Sequence, residues 1–194
     1  SIPDEGEPSW WDSERWDREL ADDMQPVAQR QSDAHALATL ADLDQDASAY
    51  STRRTSAYIR SMCERRAQMV NSVTLRELVE CITEGEDDED ARTPRDVYDV
   101  AEDSRATTGG TAFATAVAGW AALEAVRQCA PRRGATETWD VTSGNPRPSH
   151  AAMSGETVPY GEPFSNGAMW PGDTDALDAE EVANCQCAVT IEIP

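Results

Sequence analysis

Apolar side chains recur at helical spacing through most of the first half of the chain. Leu37, Leu40 and Leu43 lie three residues apart, and similar spacing continues to Ile82. Apolar residues that repeat every three to four positions are typical of an amphipathic helix. The pattern therefore predicts that residues 27–83 are mostly helical. Because proline removes a backbone donor, Pro26 is expected to interrupt the chain or to open this segment.

Several residues indicate where these helices begin and end. A first helix is predicted to begin near Ser9, where nearby carboxylates complement the helix dipole. Ser72 or Thr74 is a candidate N-cap for the last helix of this half, and Gly85 is a candidate C-cap. The acidic run at residues 86–90 is then expected to be a solvated loop.

Two further helices are predicted at the start of the second half. Thr93-Pro94 places a capping side chain before a proline at the first helical position, which predicts a helix over residues 94–106. Gly109-Gly110 is expected to break this helix. A second, alanine-rich helix is then predicted over residues 111–129.

From residue 135 the period of the apolar pattern changes from that of a helix to two. Residues 136–141 and 188–193 alternate as short strands do. Turn-forming pairs lie between them, at Asn145-Pro146, Ser154-Gly155, Tyr160-Gly161, Asn166-Gly167 and Pro171-Gly172. The sequence thus predicts an α+β fold. A helical N-terminal half is followed by a small C-terminal α+β domain with a short antiparallel sheet and long loops.

Composition narrows the class of protein. The chain has 37 Asp and Glu against 16 basic residues, all of them Arg, and its formal net charge is −21. Such a charge with few large aliphatic residues usually indicates disorder, but six Trp and the helical spacing argue for a folded chain. A GC-rich bacterial background and adaptation to molar salt both produce Lys-free acidic proteins. The pI near 4.2 favours the adaptation to salt.

The same charge restricts the partners. Binding to phosphate backbones depends on Lys and Arg, so an acidic surface predicts no general affinity for nucleic acid. The longest weakly polar run, residues 111–126, is too short and too rich in alanine to cross a membrane.

His150, Cys185 and Cys187 are candidate metal ligands. Thiolate and imidazole donors suit a tetrahedral zinc ion, and Cys129, a carboxylate or water could supply a fourth ligand. Two alternatives remain open at this point. Both cysteines could be small packed residues beside the last strand, with His150 bonded to a carbonyl or a carboxylate, or the thiols could have a redox role.

An ordered set of short motifs extends over residues 95–194. The set comprises Arg105-Ala106-Thr107-Thr108, Trp139-Asp140-Val141-Thr142, Arg147-Pro148-Ser149-His150, Gly155-Glu156-Thr157-Val158, Phe164, Pro171-Gly172-Asp173 and Asn184-Cys185-Gln186-Cys187. In this order the motifs resemble the C-terminal domain of phage head-morphogenesis proteins, the minor capsid proteins similar to Mu protein F. The structural signature lies at Trp139, Arg147, His150, Gly155, Asn184, Cys185 and Cys187.

The chain departs from that family at three places. Arg147 and His150 stand where other members have a Cys-x-x-Cys pair, Val182-Ala183 replaces His-Pro, and Gln186 replaces an arginine. A four-cysteine metal site is therefore not available. Arg147 is expected instead to bind a carboxylate such as Asp140 or Glu156.

The resemblance implies a structural virion protein without catalytic residues. Residues 93–194 would form the head-morphogenesis domain, and residues 1–92 would contact the portal protein and other capsid proteins. Trp10, Trp11 and Trp16 are the candidate anchors, because Trp dominates interface energetics. The expected location is the capsid of a tailed virus of a halophile, at or near the portal vertex and close to packaged DNA, and the host cytoplasm during assembly.

Two other functions compete with this one. A capsid maturation protease would need a nucleophile beside a base, and the sequence offers only His35 and His150 as histidine bases. The other alternative is a zinc-stabilised interaction module of a cellular protein.

Overall fold

Helices dominate the computed structural model, which describes residues 8–84 and 92–194. The elements in order are α1 (Ser13–Asp42), a 3-10 turn (Ala47–Ala49), α2 (Thr52–Glu84), α3 (Pro94–Val100), a π-helical turn (Ala101–Arg105), α4 (Ala106–Cys129), β1 (Thr136–Asp140), α5 (Pro148–Ala152), β2 (Thr157–Pro159), α6 (Ala179–Val182) and β3 (Ala188–Glu192). The predicted α+β class is confirmed.

The predicted cap at Gly85 and the acidic loop at 86–90 lie outside the described residues. No helix in the two described ranges is long and apolar enough to span a bilayer.

The three strands form one antiparallel sheet in the order β2-β1-β3. Glu137 in the centre of β1 lies opposite Val158 on one side and Ile191 on the other. Glu137 and Trp139 are the buried positions of β1, so the alternation of this strand follows the period that the sequence indicates. Both strands predicted from the sequence are confirmed.

Helix α1 differs from its prediction at both the start and Pro26. It begins at Ser13 rather than near Ser9, and Pro26 lies inside it. A proline inside a helix removes one hydrogen bond and its ring crowds the carbonyl four residues earlier, which costs about 3 kcal/mol. Burial of the neighbouring turns can outweigh that cost. The buried stripe consists mostly of small residues, namely Ala21, Ala28, Ser32, Ala36 and Leu40, whereas Leu37 is exposed.

The two predicted caps in the middle of α2 are wrong. The helix runs through Ser72 and Thr74 without a break. The Ser72 hydroxyl donates to the carbonyl of Met69, and the Thr74 hydroxyl donates to the carbonyl of Val70. Because these side chains bond back into the preceding turn, they do not cap a new helix.

The predicted cap at Thr93 is confirmed, whereas the break at Gly109-Gly110 is wrong. The Thr93 side chain and Asp96 form a reciprocal capping box around α3. The two glycines lie inside α4, and the irregularity falls earlier, in the π-helical turn. Glycine lowers helix stability by only about 1 kcal/mol, which packing of the helix can outweigh.

The chain forms two compact units that do not follow the predicted division at residues 92 and 93. One unit comprises Ser1–Pro26 and Tyr58–Thr107, and the other comprises Val27–Ala57 and Thr108–Pro194. Each long helix contributes a segment to each unit, which a boundary drawn along the sequence does not anticipate. The functional division into 1–92 and 93–194 stays a prediction.

A substitution at Gly172 is expected to destabilise the second unit. Gly172 has φ +82°, and an added Cβ would lie 3.0 Å from the backbone nitrogen of Ala116. Gly172→Ala should therefore lower the free energy of unfolding by about 2–4 kcal/mol. Gly110→Ala is the matched control, because its Cβ would meet nothing within 4 Å inside a helix. It should raise the free energy by about 0.5–1 kcal/mol. Equal effects in thermal melts would contradict this account.

Glu137 is a fully buried carboxylic acid on the inner face of the sheet. Its Oε1 accepts a hydrogen bond of 2.7 Å from the backbone N–H of Gly161, whereas Oε2 has no hydrogen-bond partner among the described residues. Burial raises the pKa of Glu137 to about 7, and the bond from Gly161 opposes this shift only in part. Glu137 is thus charged in the folded protein only near and above neutral pH.

Stability is expected to fall as the pH rises from about 4.5 to 7, because the unfolded chain releases the Glu137 proton first. Glu137→Gln keeps an acceptor for Gly161 and removes the charge. The variant should flatten this slope and be about 3 kcal/mol more stable than the wild type at pH 8. Denaturant titrations at several pH values would measure it, and an unchanged slope in the variant would contradict the assignment.

Candidate metal centre

Three chain segments bring the predicted signature residues together. Trp139 points inward from β1, and His150 lies on α5, which begins with Pro148 at its first position. Cys185 and Cys187 follow α6, in a turn where Asn184 has φ 54°. Asparagine tolerates this left-handed conformation better than most residues. The turn therefore carries both thiols into the interior beside His150.

The Gly155 turn links this region to the sheet. Gly155 has φ +80°, a conformation that glycine adopts without strain. Its N–H donates to the carbonyl of Trp139, and the N–H of Trp139 donates to the carbonyl of Glu156. The turn thus extends the pairing of β1 and holds Trp139 in place.

His150, Cys185 and Cys187 form a buried cluster, here called the His–Cys cluster. The imidazole Nδ1 lies 3.7 Å from Sγ of Cys185 and 3.3 Å from Sγ of Cys187. The three donor atoms all lie within 4.8 Å of one another, and each residue is at most 7% exposed. One ring nitrogen therefore faces two sulfurs at the same time.

The second nitrogen of His150 faces a carboxylate. Nε2 lies 3.1 Å from Oε2 of Glu181, close enough for a charge interaction, although it is not aligned for a hydrogen bond. The Ser149 hydroxyl donates to the same carboxylate oxygen at 2.9 Å. A carboxylate on the far side of the ring is the usual partner of a metal-binding histidine.

Arg147 holds the cysteine turn through the backbone rather than through a carboxylate. Its NH1 donates to the carbonyl of Glu181, and its NH2 donates to the carbonyl of Ala183. The predicted bond from Arg147 to Asp140 or Glu156 is therefore wrong. The carbonyls at the end of a short helix lack helical partners, so the guanidinium satisfies two of them and fixes the turn.

Aromatic rings enclose the His–Cys cluster. The Trp139 ring stands edge-on to His150, with 5.5 Å between centroids, and edge-on to Phe164, with 5.2 Å between centroids. The indole N–H of Trp139 is buried without an aligned acceptor, and it is close enough to Cys187 to favour the thiolate. Trp139, Phe164, Cys185 and Cys187 belong to one apolar core.

The two thiols have unequal acidities. The hydrogen bond from Cys187 lowers the pKa of Cys185, burial opposes this shift, and the charge of Arg147 adds a smaller lowering. The same hydrogen bond raises the pKa of Cys187, and burial raises it further. Cys185 is therefore the more acidic of the two thiols, and its thiolate would be in a position to bind a cation.

The donor set fits a soft metal ion. In a tetrahedral zinc site, bonds of about 2.3 Å to sulfur and 2.0–2.1 Å to nitrogen place sulfur and nitrogen about 3.6 Å apart. The two observed separations, 3.7 and 3.3 Å, lie on either side of this value. The His–Cys cluster can thus hold a metal ion, which the sequence predicted. That this ion is zinc stays a prediction.

Cys129 does not supply a fourth ligand. It is half-buried and packs against a different core, formed by Ala36, Leu40, Ala121 and Ala125. Within the described ranges the ligand group consists of three residues only. Spacing along the sequence could not exclude Cys129, since it lies closer to His150 in the sequence than Cys185 does.

A cleft of about 350 Å³ adjoins the His–Cys cluster. His150, Cys185 and Cys187 form part of its wall, together with loop residues before α5 and the side chains around the cysteine turn. The cluster is thus covered on the aromatic side and borders open space on the other.

The predicted partner-binding residues Trp10, Trp11 and Trp16 form one aromatic group, here called the tryptophan group. Ring centroids are 6.1 Å apart between Trp10 and Trp11 and 5.9 Å apart between Trp11 and Trp16. Trp11 packs against the core of Leu78, Cys81 and Val97, so it closes a core rather than standing free. Trp10 and Trp16 are 53% and 39% exposed.

Sequence reasoning did not single out Glu181. It lies in a Glu-Glu pair of a chain with 37 acidic residues, so neither its type nor its spacing distinguishes it from solvated carboxylates.

Compared with protein-family models, with curated proteins and with solved structures, the chain has no match.

Proposed function

We propose that this chain is a structural minor capsid protein of a tailed virus, associated with the portal and acting in head assembly or in genome packaging or delivery. One observation supports the proposal above the others. Four residues of the signature on which the resemblance rests, Trp139, His150, Cys185 and Cys187, pack as one buried unit, and the exposed Gly155 turn is hydrogen-bonded to Trp139. Motifs spread over some fifty residues thus behave as a single structural element.

The proposed role assigns the tryptophan group to partner binding. Trp10 and Trp16 offer exposed aromatic surface, while Trp11 anchors them to the core beneath. Exposed tryptophans on a fixed base are typical of interface anchors. The partners would be the portal protein or other capsid proteins, and the protein would act at or near the portal vertex. The net charge of −21 disfavours general binding to the DNA packaged nearby.

Zinc is the metal that we assign to the His–Cys cluster. Two cysteines and one histidine are soft and borderline donors, which favour zinc over magnesium or calcium. His150, Cys185 and Cys187 would bind the ion, and Glu181 would orient the imidazole. When bound, the ion would cross-link α5 to the turn before β3, which is a structural rather than a catalytic contribution.

Co-purification with the portal protein tests the virion role. We expect the wild-type chain to remain bound to purified portal rings, and the double variant Trp10→Ala, Trp16→Ala to lose most of this binding. Val27→Ala is the control, because Val27 is an apolar residue of α1 outside the tryptophan group and is at least as exposed as Trp10 and Trp16. Absence of the protein from purified virions would sink the proposal.

A zinc-stabilised interaction module in a cellular protein is the second candidate, and the His–Cys cluster favours it equally well. For the protease alternative, the geometry disfavours Ser149 as the nucleophile, because its hydroxyl bonds Glu181. Nδ1 of His150 does face the thiol of Cys187, as a cysteine nucleophile would require, but that thiol is buried. His150→Ala separates the classes. Lost peptide cleavage would indicate an enzyme, whereas lost assembly with normal processing would indicate a structural protein. A portal gene beside the gene for this chain would favour the virion role over a cellular module.

A further inference from the structure

The cleft beside the His–Cys cluster differs in charge from the rest of the chain. Acidic residues make up 37 of the 194 residues, yet none of the ten residues that line the cleft is Asp or Glu. Arg147 is the one lining residue that is always charged. In a chain with a net charge of −21, this cleft is a local site without negative side chains.

When the His–Cys cluster binds a divalent metal ion, the charges around the cleft sum to one positive charge, which a single anion would neutralise. A divalent ion bound by two thiolates and a neutral imidazole has no net charge, and the guanidinium of Arg147 adds one positive charge. The Glu181 carboxylate lies against the opposite ring nitrogen and does not line the cleft. Three protein donors also leave one position of a tetrahedral ion unfilled.

Hydrogen-bond donors surround the same space. Asn145, Asn184 and Gln186 also line the cleft; all three are exposed, and their side-chain amides form no hydrogen bond with other described residues. An amide N–H can donate to an oxygen that a metal does not bind. A monodentate carboxylate offers one oxygen to the metal and a second to these donors.

We propose that the cleft binds a carboxylate that completes the coordination of the metal in the His–Cys cluster. This inference rests on the proposed zinc site. The carboxylate is either a small free acid or an Asp or Glu side chain of a partner polypeptide. The cleft then couples metal binding to recognition, because the ligand that fills it belongs to another molecule.

Cobalt substitution tests the proposal, because the visible spectrum of Co²⁺ reports its ligands. The full-length protein is loaded with Co²⁺ and titrated with acetate. Acetate replaces perchlorate during the titration, so that the ionic strength stays constant. We expect a saturable change in the cobalt bands. A parallel titration with the peptide acetyl-Gly-Asp-Gly-amide distinguishes the sources, since tighter binding of the peptide indicates a protein side chain and equal binding indicates a free acid.

Two variants locate the binding to the cleft. Gln186→Glu places a carboxylate in the cleft, which should weaken the acetate response about tenfold or remove it. Gln68→Glu makes the same charge change at an exposed position of α2 and should leave the titration unchanged. Cobalt bands that do not change with acetate would overturn the inference, as would a response of Gln186→Glu equal to that of the wild type. Failure to bind cobalt would overturn it together with the zinc assignment, and would leave the test on portal rings unaffected.

Discussion

Chelation of the zinc that we propose for the His–Cys cluster is expected to destabilise the C-terminal part of the protein strongly. A ligand that binds only the folded state stabilises it by about 4 kcal/mol when its free concentration is a thousand times its Kd. For a chain of this size, that corresponds to a fall in Tm of about 8–16 °C on chelation. The physical reason is that the proposed ion would join two segments, α5 and the cysteine turn, that are otherwise held by Arg147 and by packing against Trp139.

Paired cysteine variants separate loss of the metal from loss of packing. Cys187→Ser keeps the size of the side chain and removes a ligand, so it should lower Tm in the presence of zinc and make the protein insensitive to a chelator. Cys129→Ser is the control, because Cys129 packs in a different core and should leave the response to the chelator intact. Thermal melts of both variants with and without chelator measure the difference. Equal melting temperatures of the wild type under the two conditions would rule out a stabilising metal.

The sequence predicted which residues cluster at the candidate metal centre better than it predicted where the helices are interrupted, and the reason is physical. Trp139, His150 and the two cysteines are rare in this chain, so their order along the sequence carries information about the fold. The helix breaks at Pro26 and Gly109-Gly110 were wrong because a breaker costs a few kcal/mol at most. Packing along a helix of 24 or 30 residues can outweigh that cost.

Two kinds of residue escaped prediction altogether. The stripe that α1 buries consists mainly of alanine and serine, which a search for large apolar residues does not find. Glu137 and Glu181 were invisible for the opposite reason, because acidic residues are so common here that none stands out. One of them is buried in the core and the other touches His150. Their roles depend on the three-dimensional neighbours rather than on the local sequence.

Salt is expected to have the second large effect, raising Tm by about 10–20 °C between about 0.1 M and 2 M KCl. A formal net charge of −21 opposes the compact state through self-repulsion. The Debye length falls from about 10 Å at 0.1 M to about 3 Å at 1 M, so molar salt screens most of this repulsion. Because a kilocalorie per mole shifts Tm by about 2–4 °C at this size, the expected rise corresponds to about 5 kcal/mol.

Salt also weakens attractive pairs, and the sign of the net effect depends on which contribution is larger. The helical pairs Arg15–Glu19 and Arg76–Glu80 are about half exposed at both partners. Exposed pairs of this kind contribute little to stability, because water and salt screen them. Their loss is therefore small beside the relief of repulsion among 37 carboxylates opposed by 16 arginines. Circular dichroism melts across KCl concentrations measure the balance, and a Tm that does not rise would contradict adaptation to salt.

Replacing carboxylates with neutral side chains of the same shape tests whether their repulsion makes Tm depend on salt. Asp23, Glu102, Asp103 and Glu162 are exposed and form no ion pair with other described residues. Replacing the four with Asn or Gln changes the net charge from −21 to −17, which should raise Tm at low salt and leave it nearly unchanged at 2 M. A general effect of salt on the burial of apolar surface predicts the same slope for variant and wild type. The difference in slope between the two proteins therefore decides whether repulsion or apolar burial makes the fold depend on salt.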